Sequence, residues 1–297
     1  MKNDCKIFAL VVVKNEDDII YDVIESATQW AEKIFIMDNM STDTTWEKLK
    51  KISDKYNNVI LWGQYGGKFN EGLRQILFKE YRHFASENDW WCRLDGDEFY
   101  IDDPRSFIRK LPERIDHIYN ASFQYYYTEQ DYDRDLSKTP GNGYSDYESL
   151  RWYKCNHSEI RFVKNKQSIC WLQYEGWPCN LLYPTTDRIR LKHFQYRSLE
   201  QIKNRAYLRS ESVLGQVFKH EIVSDDMWYK RRGFKLPNNQ VFIEYKIVQS
   251  TDLSNNDNYA YDDSELPVLI NTSIKKYIKC SFIYIYMRLI NRSLFKI

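Results

Sequence analysis

The chain has 297 residues, enough for one large domain or two smaller ones, and its composition (43% hydrophobic, 29% charged) is that of an ordinary globular protein. Its 43 Lys and Arg against 42 Asp and Glu leave no global field, which argues against nucleic acid or another acidic polymer as partner. The six cysteines show no CxxC spacing, and no segment has the ~20 apolar residues of a spanning helix, so buried free thiols and a cytoplasmic protein without a signal peptide are expected.

In chain order, Ile7 to Val13 is a continuous apolar, β-branched run, as in a strand buried on both faces. Ile19, Ile20, Val23, Ile24, Ala27, Trp30 and Ala31 then recur at helical spacing. Lys33 to Met37 reads as a second strand, and Ser41-Thr42-Asp43 supplies cap side chains for a helix running to about Lys55. Val59 to Trp62 is a third strand, Leu73, Ile76, Leu77 and Phe84 mark one face of another helix, and Trp90 to Leu94 is a fourth strand. This alternation predicts an α/β fold with right-handed crossovers and a mainly parallel sheet.

From about Ile115 the pattern changes to short aromatic runs, Ala121 to Thr128 and Ser168 to Tyr174, separated by polar stretches such as Asp131 to Tyr147. A small antiparallel extension with a long loop across the site is the reading. Ser198-Leu199-Glu200-Gln201 fits a capping box and opens a helix to about Glu211. Residues 249–266 read as an acidic polar linker: Thr251 to Glu265 carries five acidic residues and no basic one. Residues 267–297 form a basic aromatic tail with six Lys or Arg and no acid, expected to be a helix either docked on protein or lying on an anionic membrane. The resulting division is one main domain over 1–248, with a strand-helix half (1–112) and an aromatic, antiparallel half (113–248).

Asn15-Glu16, Asp38-Asn39 and Asp95-Gly96-Asp97 each fall at the end of a predicted strand, the edge at which open α/β sheets bind ligands. Two carboxylates one residue apart suit a hard divalent cation, Mn²⁺ or Mg²⁺, which would neutralise a departing diphosphate. Gly96 between them is expected to leave room for that diphosphate. An EF-hand loop is excluded, because its third ligand position would be Phe99. The 24 Tyr and 9 Trp fit either a bulky core or a sugar platform.

Four segments together resemble bacterial family 2-type glycosyltransferases of the GT-A (Rossmann-like) fold, and do so in the family's order. They are Val12-Val13-Lys14-Asn15-Glu16, Asp38-Asn39-Met40-Ser41-Thr42-Asp43, Leu94-Asp95-Gly96-Asp97-Glu98-Phe99, and the run from His193 to Ile202, which is similar to the family's "HYxYRSxEQ" segment. The resemblance spans residues 7 to 210 and leaves out the last ~50. It implies transfer of a sugar from a nucleotide-sugar, a UDP-sugar in the favoured case, to a saccharide or glycolipid acceptor. Asp38 would accept from the nucleobase, with Asn15 and Glu16 lining the same pocket. Arg74 and Arg197 would steady the diphosphate, and Asp43 is better read as a helix-start residue. Asp95, shared with the ribose, Asp97 and His193 would hold the metal.

Such enzymes generally invert by direct displacement, which requires a carboxylate base on the acceptor side. Glu175, in the aromatic turn Glu175-Gly176-Trp177-Pro178, is the chosen candidate, with Asp131, Asp146 and Glu148 as rivals. Trp152, Trp171 and Trp177 are candidate acceptor stackers. Two other readings stand beside this one: a non-catalytic nucleotide-sugar-binding or scaffold member of the fold, and a nucleotidyltransferase. The latter lacks its Gly-rich basic loop here, since Val13-Lys14-Asn15-Glu16-Asp17 follows the first strand.

Overall fold

A computed structural model describes residues 5–137, 147–211, 234, 248–249, 259–266 and 282. Strand β1 (Ile7–Val13) is buried along its whole length, which its unbroken apolar run requires. Its alternate residues serve two layers. Ile7, Ala9, Val11 and Val13 pack with α1 (Ile20–Ala27) and α2 (Thr45–Lys55), while Phe8, Leu10 and Val12 pack with Phe35, Met37 and α3 (Leu73–Tyr81). The parallel strands β2 (Lys33–Asp38), β3 (Val59–Gln64) and β4 (Trp90–Leu94) complete the order β4-β1-β2-β3. The register of β2 on β3 slips after Ile36, and Gly63, at φ +128°, absorbs the extra residue as few other residue types can.

The second half continues the same sheet. Strand β5 (Glu98–Tyr100) and α4 (Pro104–Arg109) follow β4, and Asp103 caps α4 by accepting from Ser106 N at 2.7 Å. The ten-residue β6 (His117–Tyr126) pairs first with β8 (Ile160–Lys164) and then with β7 (Trp152–His157), both antiparallel, and along its other edge with parallel β9 (Ile189–Tyr196). Antiparallel pairing of β8 with β4 welds this half to the first, and β5 pairs with β9. The α/β class with an antiparallel extension is therefore the fold of this chain.

Three local expectations change. Residues Glu129–Leu136, which overlap the start of the expected polar loop, form α5, because Thr128 and Asp131 build a reciprocal capping box. Ser168 to Tyr174 is not a strand; it runs in turns and irregular backbone, with Trp171 in the core. Residues 259–266, expected in the linker, pack on the domain: Tyr259 is buried edge-on against Phe123, its carbonyl accepts from Arg190 Nη1 at 2.6 Å, and Asp263 pairs with Arg188 at 2.7 Å. A two-residue strand, β10 (Val248–Gln249), adds to β7. Helix α6 (Leu199–Glu211) starts where the capping signal predicts, with Ser198 Oγ accepting from Gln201 N at 3.1 Å. Cys5, Cys92, Cys155 and Cys170 form no disulfide, whereas Cys179 is disulfide-bonded, against the expectation of an all-thiol set. The expected basic helix of residues 267–297 lies outside the described residues, apart from Phe282.

Candidate active site at the β1–β4 switch point

The chain runs outward from β1 through β2 to β3, then returns to lay β4 on the opposite side of β1. The crossover direction thus reverses between β1 and β4, and the crevice beyond their carboxyl ends is the ligand position in open α/β sheets. Glu16, Asp18, Asp95 and Asp97 all lie there. Gly96 serves packing: a Cβ on it would come within 3.1 Å of Val13 Cγ2 and 3.3 Å of Ile20 Cδ1, so it lets the 95–97 turn press against the start of α1. This differs from the room for a diphosphate that the triplet alone suggests.

Register brings Asp97 and His193 together. Glu98 faces His193 across the β5–β9 pair, and Phe194 N donates to Asp97 O at 2.9 Å. Asp97 Oδ2 lies 3.3 Å from His193 Nε2 and 3.9 Å from an Arg205 nitrogen. Burial raises the Asp97 carboxyl, but the His193 imidazolium and then the arginines outweigh it and hold the group at about 2. Asp97 in turn raises His193, against burial. The two are paired through Nε2, and His193 Nδ1 is buried without a hydrogen-bond partner.

Asp95 is turned elsewhere. Its carboxylate accepts from Arg74, from Arg161 Nη1 at 2.8 Å, and lies 3.6 Å from Arg93 Nε. Burial opposes its ionisation, yet the three guanidiniums, Arg161 foremost, hold it well below the usual carboxylate range. Arg161 also binds Glu98 and, at 2.7 Å, Glu159, while Arg93 reaches Glu71 at 3.0 Å and lies over the Trp177 ring. Burial pushes Glu98 up to about 7 despite Arg161. Among the described residues, no three His, Cys, Asp or Glu side chains converge as a metal-holding group. The expected triad is therefore not assembled: Asp97 and His193 meet, and Asp95 is drawn into the arginine cluster because three buried guanidiniums demand anionic partners.

The pair does suit a cation. Two adjacent donors on an octahedral ion at ~2.1 Å lie about 3 Å apart, close to the separation of Asp97 from His193. A carboxylate oxygen with one imidazole suits Mn²⁺, or Mg²⁺ completed by phosphate oxygens and water, and binding would discharge the imidazolium proton.

The other expected ligand contacts are internally engaged. Asp38 is fully buried and accepts from the Ser41 hydroxyl, Ser41 N at 3.1 Å and Gln64 Nε2 at 2.7 Å. Asn15, at φ 54°, accepts from Thr42 N at 2.8 Å and donates its own N–H to Ser41 Oγ at 2.9 Å, tying the β1 turn to the β2 turn. Arg197 is fully buried between Glu16, Asp18 Oδ2 at 2.6 Å and Phe194 O at 3.1 Å; it acts as a strut between the first turn and the start of α6 and offers no free face to a phosphate. Burial raises Glu16 to about 7 against Arg197. Asp43 is a helix-start residue, accepting from Thr45 N at 2.9 Å.

Of the candidate bases, Glu175 is half-buried in the 173–177 turn, which lies on the first residues of α3: a Cβ on Gly72 would strike the Tyr174 backbone. Its carbonyl accepts from Trp171 Nε1 at 2.7 Å. Asp131 is closed, one oxygen on Thr128 N and Oγ1, the other on Arg134 at 2.8 Å, so it caps α5. Glu148 is exposed on the 147–149 turn, and Asp146 lies outside the described residues. Trp171 packs on Phe78 in the core, which removes it as an acceptor stacker, whereas Trp152 and Trp177 are half-buried. Arg93, Glu159, Arg161, Asp18 and Arg205 were not singled out from sequence. The readable signal was a charged residue inside an apolar strand, in Trp91-Cys92-Arg93-Leu94 and Ile160-Arg161-Phe162.

No family model matches the chain, and the search of curated proteins found no match. Solved structures overlap it in part. S. aureus TarS (residues 1–349) is 12% identical over 75% of this chain and 71% of its own, with TM-score 0.38. The mannosyltransferase PcManGT from Pyrobaculum calidifontis, solved with GDP-Man and Mn²⁺, is 9% identical over 71% and 64%, with TM-score 0.38. Glucosyl-3-phosphoglycerate synthase from Mycobacterium tuberculosis, solved with Mn²⁺, UDP and phosphoglyceric acid, is 19% identical over 41% and 44%, with TM-score 0.28. Likeness at this level carries no inference about chemistry. No helix among the described residues is long and apolar enough to cross a membrane.

Proposed function

We propose that this chain is a metal-dependent glycosyltransferase of the GT-A, family 2 type, moving a sugar from a nucleotide-sugar to a saccharide or glycolipid acceptor. The observation that carries the reading is the Asp97–His193 pair, 3.3 Å apart beyond β4 at the reversal point of the sheet. Asp97 and His193 would hold Mn²⁺ or Mg²⁺, which when bound supplies Lewis-acid neutralisation of the departing diphosphate. Asp95, kept ionised by Arg74, Arg93 and Arg161, orients the metal-motif turn and faces the ribose side. Asn15, Glu16 and Asp38 shape the wall of the base pocket through the turns they lock. Glu175 is proposed as the base that removes the acceptor hydroxyl proton during inverting displacement. A UDP donor, a cytoplasmic location and contact of the basic tail with an anionic membrane belong to the same reading.

A second reading, a nucleotide-sugar-binding protein without turnover, is favoured by one observation: Asp95 is drawn away from the pair, so two protein donors remain for the cation. Thermal stability titrated with UDP, GDP and CDP, with and without Mn²⁺, tests both. The expected result is metal-dependent stabilisation by one nucleotide, lost in Asp97→Asn, together with donor hydrolysis or transfer. Stabilisation without turnover supports the second reading, and indifference to all three nucleotides sinks both.

A further inference from the structure

Among the described residues, four non-glycine residues adopt left-handed backbone: Asn15, Met40, Asn88 and Tyr174. Asparagine tolerates that region because its short amide bonds locally, whereas a side chain such as methionine is disfavoured there by its Cβ and gains nothing from the local backbone. Met40 nevertheless holds φ 55° with its side chain 48% exposed, among the few exposed large hydrophobics of the described residues. The conformation is imposed from both sides. Asn39 Nδ2 donates to Tyr65 O and Gly67 O, each at 2.8 Å, and Asn39 N donates to Val13 O at 2.8 Å. On the far side, Ser41 N donates to Asp38 and Thr42 N to Asn15. Glycine would satisfy the same bonds without strain. The cost is therefore attached to the side chain of a residue whose turn, after β2, lies between the turns that follow β1 and β3 at the carboxyl end of the sheet.

We infer that Met40 is a specificity-determining contact of the nucleotide, its thioether arm forming an apolar ledge for the flat face of the base or the ribose, displayed by a turn that is strained to hold it. A polarisable, unbranched side chain adapts to such a surface, and strain of this kind persists where the surrounding bonds over-determine it. The inference rests on the nucleotide-sugar reading above.

The test uses the full chain, with UDP and Mn²⁺ as probe and with Met40→Gly, Met40→Asn and Met40→Leu. Met40→Gly relieves the backbone and is expected to raise Tm by about 2–4 °C while weakening UDP by roughly tenfold. Met40→Asn should also lose affinity without losing stability, and Met40→Leu should keep affinity. Asn88→Gly, before β4 at the opposite sheet edge, relieves a left-handed residue and should leave UDP binding unchanged. Unchanged affinity in Met40→Gly beside normal wild-type binding overturns this inference alone. A wild-type protein that ignores UDP, GDP and CDP overturns the nucleotide-sugar reading, and this inference with it.

Discussion

Arg161 binds three carboxylates at once, those of Asp95, Glu98 and Glu159, from a side chain that is 1% exposed. Removing one partner of a buried ionic group is far costlier than replacing the whole group, because the remaining charges lose their compensation. Arg161→Met is therefore expected to lose about 3–5 kcal/mol, read as a fall in the urea midpoint. Arg161→Lys keeps the charge but not the planar fork, and should fall in between. A loss below the range of surface substitutions would contradict the network. That Asp97 and His193 come together was legible in the sequence, because each sits in a segment with a recognisable frame. Arg161 was not, because its partner Glu98 is 63 residues away and only the β4–β8 pairing joins them. The orientation of Asp95 was hidden for the same reason: a carboxylate in an Asp-x-Asp triplet reads as a metal ligand until the arginines around it are known.

Between elements, the segment from Lys166 to Tyr183 has no regular structure, and Asp116 anchors its ends. That carboxylate accepts from Lys166 Nζ at 2.8 Å, Leu182 N at 3.1 Å and Tyr183 N at 2.9 Å, with His117 Nδ1 at 2.6 Å. Burial raises its pKa, but His117, Lys166 and the two backbone donors prevail and hold it at about 2, below its ordinary 3.8. A carboxyl lowered by folding stabilises above its unfolded pKa, and the contribution drains away as pH falls from about 4 to 2. Asp116→Asn should therefore be less stable than wild type by on the order of 1–2 kcal/mol at pH 7, with the gap closing toward pH 3. Urea melts at a series of pH values check this, and a gap independent of pH would refute it. The same segment presses on α3 at Gly72, where an added Cβ meets the Tyr174 backbone. Gly72→Ala should cost about 1–3 kcal/mol through displaced backbone, with faster proteolysis within residues 172–177. These anchors were not readable: the aromatic run Ser168 to Tyr174 suggested a strand, but tertiary contacts to Asp116 and Gly72 fix it in turns.

At the scale of the whole molecule, the change of pattern near Ile115 located the passage from parallel to antiparallel structure, since β6 begins at His117. Periodicity could not reveal that the two halves share one sheet and one core. Strand β4, the outer strand of the first half, pairs along its free edge with β8. The main apolar cluster joins Ile7, Val11 and Trp30 to Phe123, Phe162, Phe194 and Tyr259. Interfaces that are continuous sheet and continuous core transmit unfolding from one side to the other, so the described halves are expected to melt together. Calorimetry should give one transition for this unit, with calorimetric and van't Hoff enthalpies equal. A fragment ending at residue 112 would leave β4 as a bare edge and uncover the surfaces of Trp90 and Trp91, which are 2% and 1% exposed in the intact chain. Such an edge pairs with other chains instead of staying monomeric. Fragment 1–112 is accordingly expected to aggregate or to lack a cooperative melt by circular dichroism. If it were monomeric, cooperatively folded and able to bind nucleotide, the nucleotide-binding half would be a domain in its own right, and the weld at β4–β8 would be only a contact between two independent units.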